Sequence, residues 1–202
     1  MMWGALLRPG ELTSAIRQQL TLPSDLEGTI SFGILAITEP KTRFSAARHQ
    51  AARVDIPDLL EVIELAYSSL NFSQRLWPFS GQTLRLRFKD LLRAVGLPTE
   101  KRNGLKPLDL GSLRAGGATW TLQVTESGEL CRRRGRWVSQ KVMDLYIQEV
   151  SSLQYFNHID PAVKSNVLTF ARAFPSVLEK AKLLSQCKID PRTWYILFRS
   201  TR

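Results

Sequence analysis

The sequence is poor in the residues that build metal and disulfide sites. It has two cysteines, Cys131 and Cys187, and two histidines, His49 and His158, among 202 residues. Two thiols are too few for a disulfide framework, so free thiols in an intracellular chain are expected. No Cys/His cluster stands at ligand spacing, which argues against a zinc site. No apolar run approaches the roughly 20 residues that span a bilayer, and no membrane partner is expected. The apolar start, residues 1–7, stops at Arg8-Pro9-Gly10 and lacks both the charged lead and the length of a signal peptide. There is no internal repeat and no low-complexity block. Acids are also scarce: 18 Asp and Glu stand against 28 Lys and Arg, a net charge of +10. That excess favours a polyanionic partner, nucleic acid first and an acidic membrane surface second. With 44% hydrophobic and 23% charged residues, the chain can bury a core.

Periodicity predicts mostly helices. Residues 6–20 carry Leu12, Ala15, Ile16 and Leu20 at helical spacing, with Pro9 suited to a first turn. Residues 29–38 (TISFGILAIT) read as a buried strand and 51–56 as its return, a β-hairpin with a basic tip over 40–50. Helices are predicted over 57–70, 80–95, 112–125, part of 126–137, and 139–153. A helical pair, 163–174 and 176–186, is predicted to break at Pro175, and the tail from 190 ends in WYILF. The fold class is α+β, mainly helical, with a small antiparallel hairpin or sheet at one edge. Two domains are expected, 1–153 and a C-terminal helical extension and tail over 154–202.

Single features here have ordinary explanations. An arginine run such as Arg132-Arg133-Arg134 is usually a solvated face, a helical Tyr146 is more often core or surface than nucleophile, and Gly116-Gly117 can serve close packing. Order and spacing change the weighing. Arg8-Pro9-Gly10-Glu11 opens a helix, and Lys41 lies on the hairpin tip. The string Ser112-Leu113-Arg114-Ala115-Gly116-Gly117-Ala118-Thr119 follows a series of helices. Gly135-Arg136-Trp137 ends 23 residues after Arg114, and Tyr146 comes 9 residues later in VMDLYIQEV.

This series resembles the catalytic domain of the tyrosine recombinase (phage integrase) family over residues 6–150. The family's pattern is Arg near a G-L-R-x-x-E turn, Lys on a β-hairpin, H-x-x-R, G-H or G-W, and then Tyr. The wording S-L-R-x-G-G-A-T looks most like recombinases of DIRS-type and related eukaryotic mobile elements, and less like type IB topoisomerases. In the H-x-x-R box the His position falls on Gly111. Most of the helix expected before Arg8 and the family's DNA-clamping domain are missing, so the chain reads as a fragment or a shortened gene product.

The resemblance implies a metal-independent and cofactor-free route of site-specific DNA recombination or integration. Arg8 and Arg114 would clamp the phosphate oxygens with forked donors that stay charged. Tyr146 would attack the scissile phosphorus to give a 3′-phosphotyrosine, and Lys41 would protonate the leaving 5′ oxygen. Trp137, a donor only, would hold a phosphate oxygen, and Glu11 would brace the wall of the site. Arg43, Arg132, Arg133, Arg134, Arg136 and Lys141 are the expected DNA-binding residues. Residues 112–141 hold six basic side chains against two acids, and 40–53 hold four against none. The partners implied are double-stranded DNA and a homo-oligomer on DNA through the C-terminal helices. The location implied is nuclear in a eukaryote and cytoplasmic otherwise. Two alternatives stand beside this: a catalytically decayed recombinase that still binds DNA, and a basic helical interaction module.

Overall fold

The computed structural model describes residues 1–40, 50–101, 106–190 and 193. The chain divides into two units, Met1–Asp160 and Pro161–Arg202. The described residues are mainly helical, with one small antiparallel sheet.

The sheet has the order β1 (Leu20–Thr21), β2 (Gly33–Ile37), β3 (Gln50–Val54). In β2, Gly33, Leu35 and Ile37 are buried and alternate with more exposed neighbours; this is the period of two that lets one face meet a core. Leu35 sits opposite Leu20 on one side and Ala52 on the other, so the inner face is continuous across three strands. The expected hairpin is present as β2–β3, while its tip lies outside the described residues. β1 was not anticipated. The helix expected over 6–20 is cut to α1 (Pro9–Ser14), followed by a 3-10 turn, Arg17–Gln19. Backbone pairing with a distant segment ends the helix: Ala15 accepts from the Leu76 amide at 2.9 Å, and the Arg17 and Gln18 amides donate to Gln74 and Phe72 at 2.8 and 2.9 Å. The Ser14 hydroxyl also bonds back to the Gly10 carbonyl at 2.9 Å, a side-chain bond that weakens a helix end.

Helices α2 (Pro57–Tyr67) and α3 (Gly81–Ala94) follow. With the sheet, α1 and the start of α4 (Leu110–Thr125), they enclose the larger core around Leu7, Leu12, Leu35, Val54, Ile63 and Leu110. A second core holds Leu6, Ala118, Cys131, Trp137 and Met143, with Tyr146 packed against it. It is built by α4, α5 (Gly128–Gly135) and α6 (Gln140–Asp144). Leu6 and Leu7 are adjacent yet belong to different cores. The chain achieves this by turning Leu6 to φ +50°, the left-handed region that a branched side chain rarely adopts. Gly117 on α4 admits this segment, since a Cβ there would overlap the Trp3 carbonyl and the Leu6 side chain. Trp3 stacks on Trp120 of α4, with centroids 4.9 Å apart, and holds the segment down.

One helix was expected over 139–153, and there are two. α6 ends at Asp144, and α7 spans Glu149–Tyr155. The cause is Thr119 of α4, whose hydroxyl oxygen accepts the Gln148 amide at 3.0 Å and so takes that donor out of the helical ladder. Tyr146 therefore lies in a turn rather than in a helix, with its amide bonded to Met143 at 2.8 Å. In the second unit the expected break at Pro175 does not occur. α8 runs unbroken from Pro161 to Gln186 with the proline inside it, and Phe170 and Phe174 on either side of one turn keep their rings 6.4 Å apart.

Candidate active site

The site grows from three turns around the second core. The first is the strained entry to α1. Arg8 occupies the N-terminal cap position of α1, and Glu11 is in its first turn. The Glu11 carboxylate accepts the Arg8 amide at 2.8 Å with one oxygen and the Arg8 guanidinium at 2.8 Å with the other. The second turn is the end of α5. Gly135 closes the helix, and a Cβ there would overlap the Trp137 ring. Arg136 follows in the left-handed region at φ +58° and turns its side chain inward. The third is the turn after α6 that carries Tyr146.

Arg114 projects from α4 into this cluster and is 2% exposed. Its guanidinium donates to the Leu6 carbonyl and, at 2.5 Å, to the Gly135 carbonyl. Its charge centre lies 4.8 Å from the Trp137 ring and 5.5 Å from the Tyr146 ring; those faces are electron-rich and attract it. Burial, then the charges of Arg136 and Arg8, lower its pKa to about 10, with Glu11 and Tyr146 acting the other way. It stays cationic at neutral pH. Arg136 donates to Glu11 at 2.7 Å and to the Leu6 carbonyl at 3.3 Å. Burial lowers its pKa as well, chiefly against the pull of Glu11.

The cluster therefore holds three guanidiniums and one carboxylate, and it has more donors than acceptors. The Nε–H of Arg114, the Nε–H of Arg136 and the indole N–H of Trp137 are all buried without a hydrogen-bond partner. A buried unpaired donor costs on the order of 1–3 kcal/mol, more when charged. A buried arginine elsewhere in the chain shows the contrast. Arg17, 1% exposed, gives its Nε–H to the Tyr67 carbonyl and its two terminal nitrogens to Leu20 and Asp25, at 2.8, 2.6 and 2.5 Å. Arg17 is a finished structural ion pair, whereas the Arg114 cluster has donors to spare.

Of the residues singled out in the sequence, Arg8, Glu11, Arg114, Trp137 and Tyr146 come together. Lys41 and Arg43 lie outside the described residues. The arginine run meets four different fates. Arg132 pairs with Glu129 at 2.8 Å and also donates to the Trp137 carbonyl. Arg133 is exposed. Arg134 forks onto Asp55 beyond β3, at 2.6 and 2.5 Å. Arg136 belongs to the buried cluster. Lys141 is exposed. The sequence reading missed the inward turn of Arg136. Its signal was the glycine that separates Arg136 from the rest of the run, since a helix that ends at Gly135 re-aims the next side chain.

Gly111 lies in the first turn of α4, and the nearest side chain to its missing Cβ is Asp109, which caps that helix through the Ser112 amide at 2.8 Å. Among the described residues no group of three or more His, Cys, Asp or Glu side chains is placed to hold a metal ion. No helix among them is long and apolar enough to cross a membrane.

No family model matches the sequence, and no curated protein matches it. Among solved structures the chain is similar to the site-specific recombinase XerH, seen bound to its difH substrate in a pre-cleavage complex. The two share 14% sequence identity with a TM-score of 0.49, and the likeness covers 79% of this chain and 45% of that one.

Proposed function

We propose that this chain is a DNA strand-cleaving and rejoining enzyme of the tyrosine recombinase kind. One observation carries the reading: Arg8, Arg114, Trp137 and Tyr146, far apart in sequence, share one electropositive cluster with unused donors. A phosphodiester is the ligand that such donors suit, because it is anionic and gathers charge on its equatorial oxygens in the transition state. In the proposed reaction the Tyr146 phenol gives its proton to solvent, its Oη bonds to phosphorus, and the bond from phosphorus to the 5′ oxygen breaks. Lys41 supplies the proton that the leaving oxygen takes up. Arg8 and Arg114 hold the non-bridging oxygens, and the Trp137 indole N–H donates to one of them. Rejoining is the same step reversed, with a 5′ hydroxyl attacking the phosphotyrosine. A homo-oligomer on DNA through the C-terminal helix belongs to the same proposal.

The test is a nicked duplex that traps the covalent intermediate, read on a denaturing gel. The wild-type chain is expected to yield a protein–DNA adduct, and Tyr146→Phe none. A specific observation favours a second reading, that of a decayed enzyme which only binds DNA: Arg114 already spends its guanidinium on two backbone carbonyls, and Gly111 offers no side chain where the family pattern has His. DNA binding without any adduct would establish that reading instead.

A further inference from the structure

The carboxylate of Glu11 occupies the place of an anion. It is 8% exposed, it receives three N–H donors from Arg8 and Arg136, and among the described residues it is the one acid in a cluster of three guanidiniums. Arg136 is an unusual residue for its position. The residue after a helix end at positive φ is most cheaply a glycine, yet here an arginine stands at φ +58° with a side chain only 6% exposed. Its fork is half used: one terminal nitrogen meets Glu11 at 2.7 Å and Leu6 at 3.3 Å, the other makes only long contacts of 3.4 and 3.5 Å to the Ala5 and Arg134 carbonyls, and its Nε–H has no partner. Beside it the Arg114 Nε–H and the Trp137 indole N–H are also unpartnered.

We propose that Arg136 is a third guanidinium directed at a tetrahedral oxyanion, and that Glu11 is the resident counter-anion which the incoming phosphate displaces from it. Glu11 neutralises part of the buried charge while the site is empty, which lowers the cost of holding three guanidiniums together. The same carboxylate must give up Arg136 before the phosphate can use it, so it sets the affinity of the site. This rests on reading the cluster as a phosphodiester site, but its test needs no strand cleavage.

The experiment is calorimetric titration of the full chain with inorganic phosphate at constant ionic strength. Glu11→Gln keeps an acceptor for the Arg8 amide and removes the negative charge; it is expected to bind phosphate about tenfold more tightly than wild type. The double variant Glu11→Gln/Arg136→Gln is expected to lose that gain. Equal or weaker binding by a folded Glu11→Gln chain overturns the proposal, as does a double variant that keeps the whole gain, or an absence of phosphate binding in every variant. If Glu11→Gln fails to fold by circular dichroism, Arg136→Lys decides. It keeps the charge that pairs with Glu11 and loses the fork, and is expected to weaken phosphate at least threefold; unchanged affinity overturns the proposal. The two readings fail separately: a phosphate pattern as expected without any Tyr146 adduct sinks strand cleavage alone, and an adduct without the Glu11→Gln gain sinks the counter-anion alone.

Discussion

The ring of Trp137 lies 4.9 Å from that of Tyr146, centroid to centroid and tilted at 43°, and the Arg114 guanidinium is within reach of both faces. This stack does two things. It fixes the direction of Tyr146, which leaves α6 in a turn and has no helix to orient it. It also buries the indole N–H of the ring that Arg114 faces, with nothing to receive it. The aromatic contact belongs to packing, and on the proposed reading the unpaired donor belongs to binding, so the two can be separated by substitution.

Trp137→Phe tests that separation. Phenylalanine keeps a ring against Tyr146 and under Arg114, and removes the donor. Losing a large-ring contact costs about 1–3 kcal/mol, but removing a buried unpaired N–H returns part of that. The expected result is a modest loss of stability in urea unfolding together with at least a fivefold loss of phosphate affinity. A variant that binds phosphate as wild type does would show that the indole N–H plays no part in the site.

Thr119 is the residue that places the nucleophile candidate. It is 2% exposed, donates its hydroxyl to the Ala115 carbonyl at 3.0 Å, and accepts the Gln148 amide that would otherwise extend α6 toward α7. Thr119→Val is nearly the same shape without the acceptor. It should cost about 1–2 kcal/mol for the orphaned amide, and it should free residues 145–148 to wind into a longer helix, which turns Tyr146 away from Trp137. A gain of helix by circular dichroism, with slower hydrogen exchange confined to 145–148 and loss of the Tyr146 adduct, is the expected pattern. Stability lost with the adduct yield unchanged would separate Thr119 from the placement of Tyr146.

These residues also show how far the sequence could be read. The β2–β3 hairpin was legible because residues 29–38 are apolar and rich in β-favouring residues and a basic turn follows. The grouping of Arg114, Trp137 and Tyr146 was legible from spacing through the family resemblance. The break between α6 and α7 was not, because the cause is a hydroxyl on α4, 29 residues away. The early end of α1 was hidden for the same kind of reason: residues 12–20 have helical spacing, and the pairing of 15–18 with 72–76 overrides it, which leaves Leu20 and Thr21 free to pair with β2 as β1. The continuity of α8 through Pro175 shows the opposite failure, since a local breaker signal was outweighed by the propensity of the helix on both sides. The inward turn of Arg136 was not legible, because a run of arginines says nothing about which one the chain turns inward.

The acid limb of stability follows from Asp25 and Asp55. A hydrogen bond from Arg17 holds the Asp25 carboxyl below its ordinary range, against the effect of burial, and a hydrogen bond from Arg134 does the same for Asp55. An unfolded aspartate titrates near about 3.9. Below that value the unfolded chain binds protons that the folded chain does not yet accept, so stability falls as pH drops from about 4 through the lower folded values, and it is fully present above. Asp25→Asn should lower stability at pH 7 by about 1–3 kcal/mol, because it leaves the buried Arg17 without its anion. The difference between variant and wild type should shrink between pH 4 and pH 2 in urea titrations. A difference that stays constant over that range would place the contribution of Asp25 elsewhere than in its charge.

Gly111 bears on whether strand cleavage persists. The backbone at this position is in the first turn of α4, where a side chain is tolerated, and a Cβ would sit 3.1 Å from an Asp109 oxygen that already caps the helix. An imidazole placed there would meet a carboxylate first, which favours its protonated form and keeps it cationic beside an anionic substrate. On the proposed reading, Gly111→His adds a proton-transferring group that the family pattern has and this chain lacks. General acid–base groups contribute about 10²–10⁴-fold when correctly placed, and a group shared with a capping carboxylate should recover only the low end of that. The expected outcome is a rise of about tenfold or more in the initial rate of adduct formation on nicked DNA, with a pH dependence that the wild-type chain does not show. A measured rate equal to wild type across pH 5–9 would mean that position 111 does not face the scissile phosphate, and that the arginine cluster is arranged for binding rather than for cleavage.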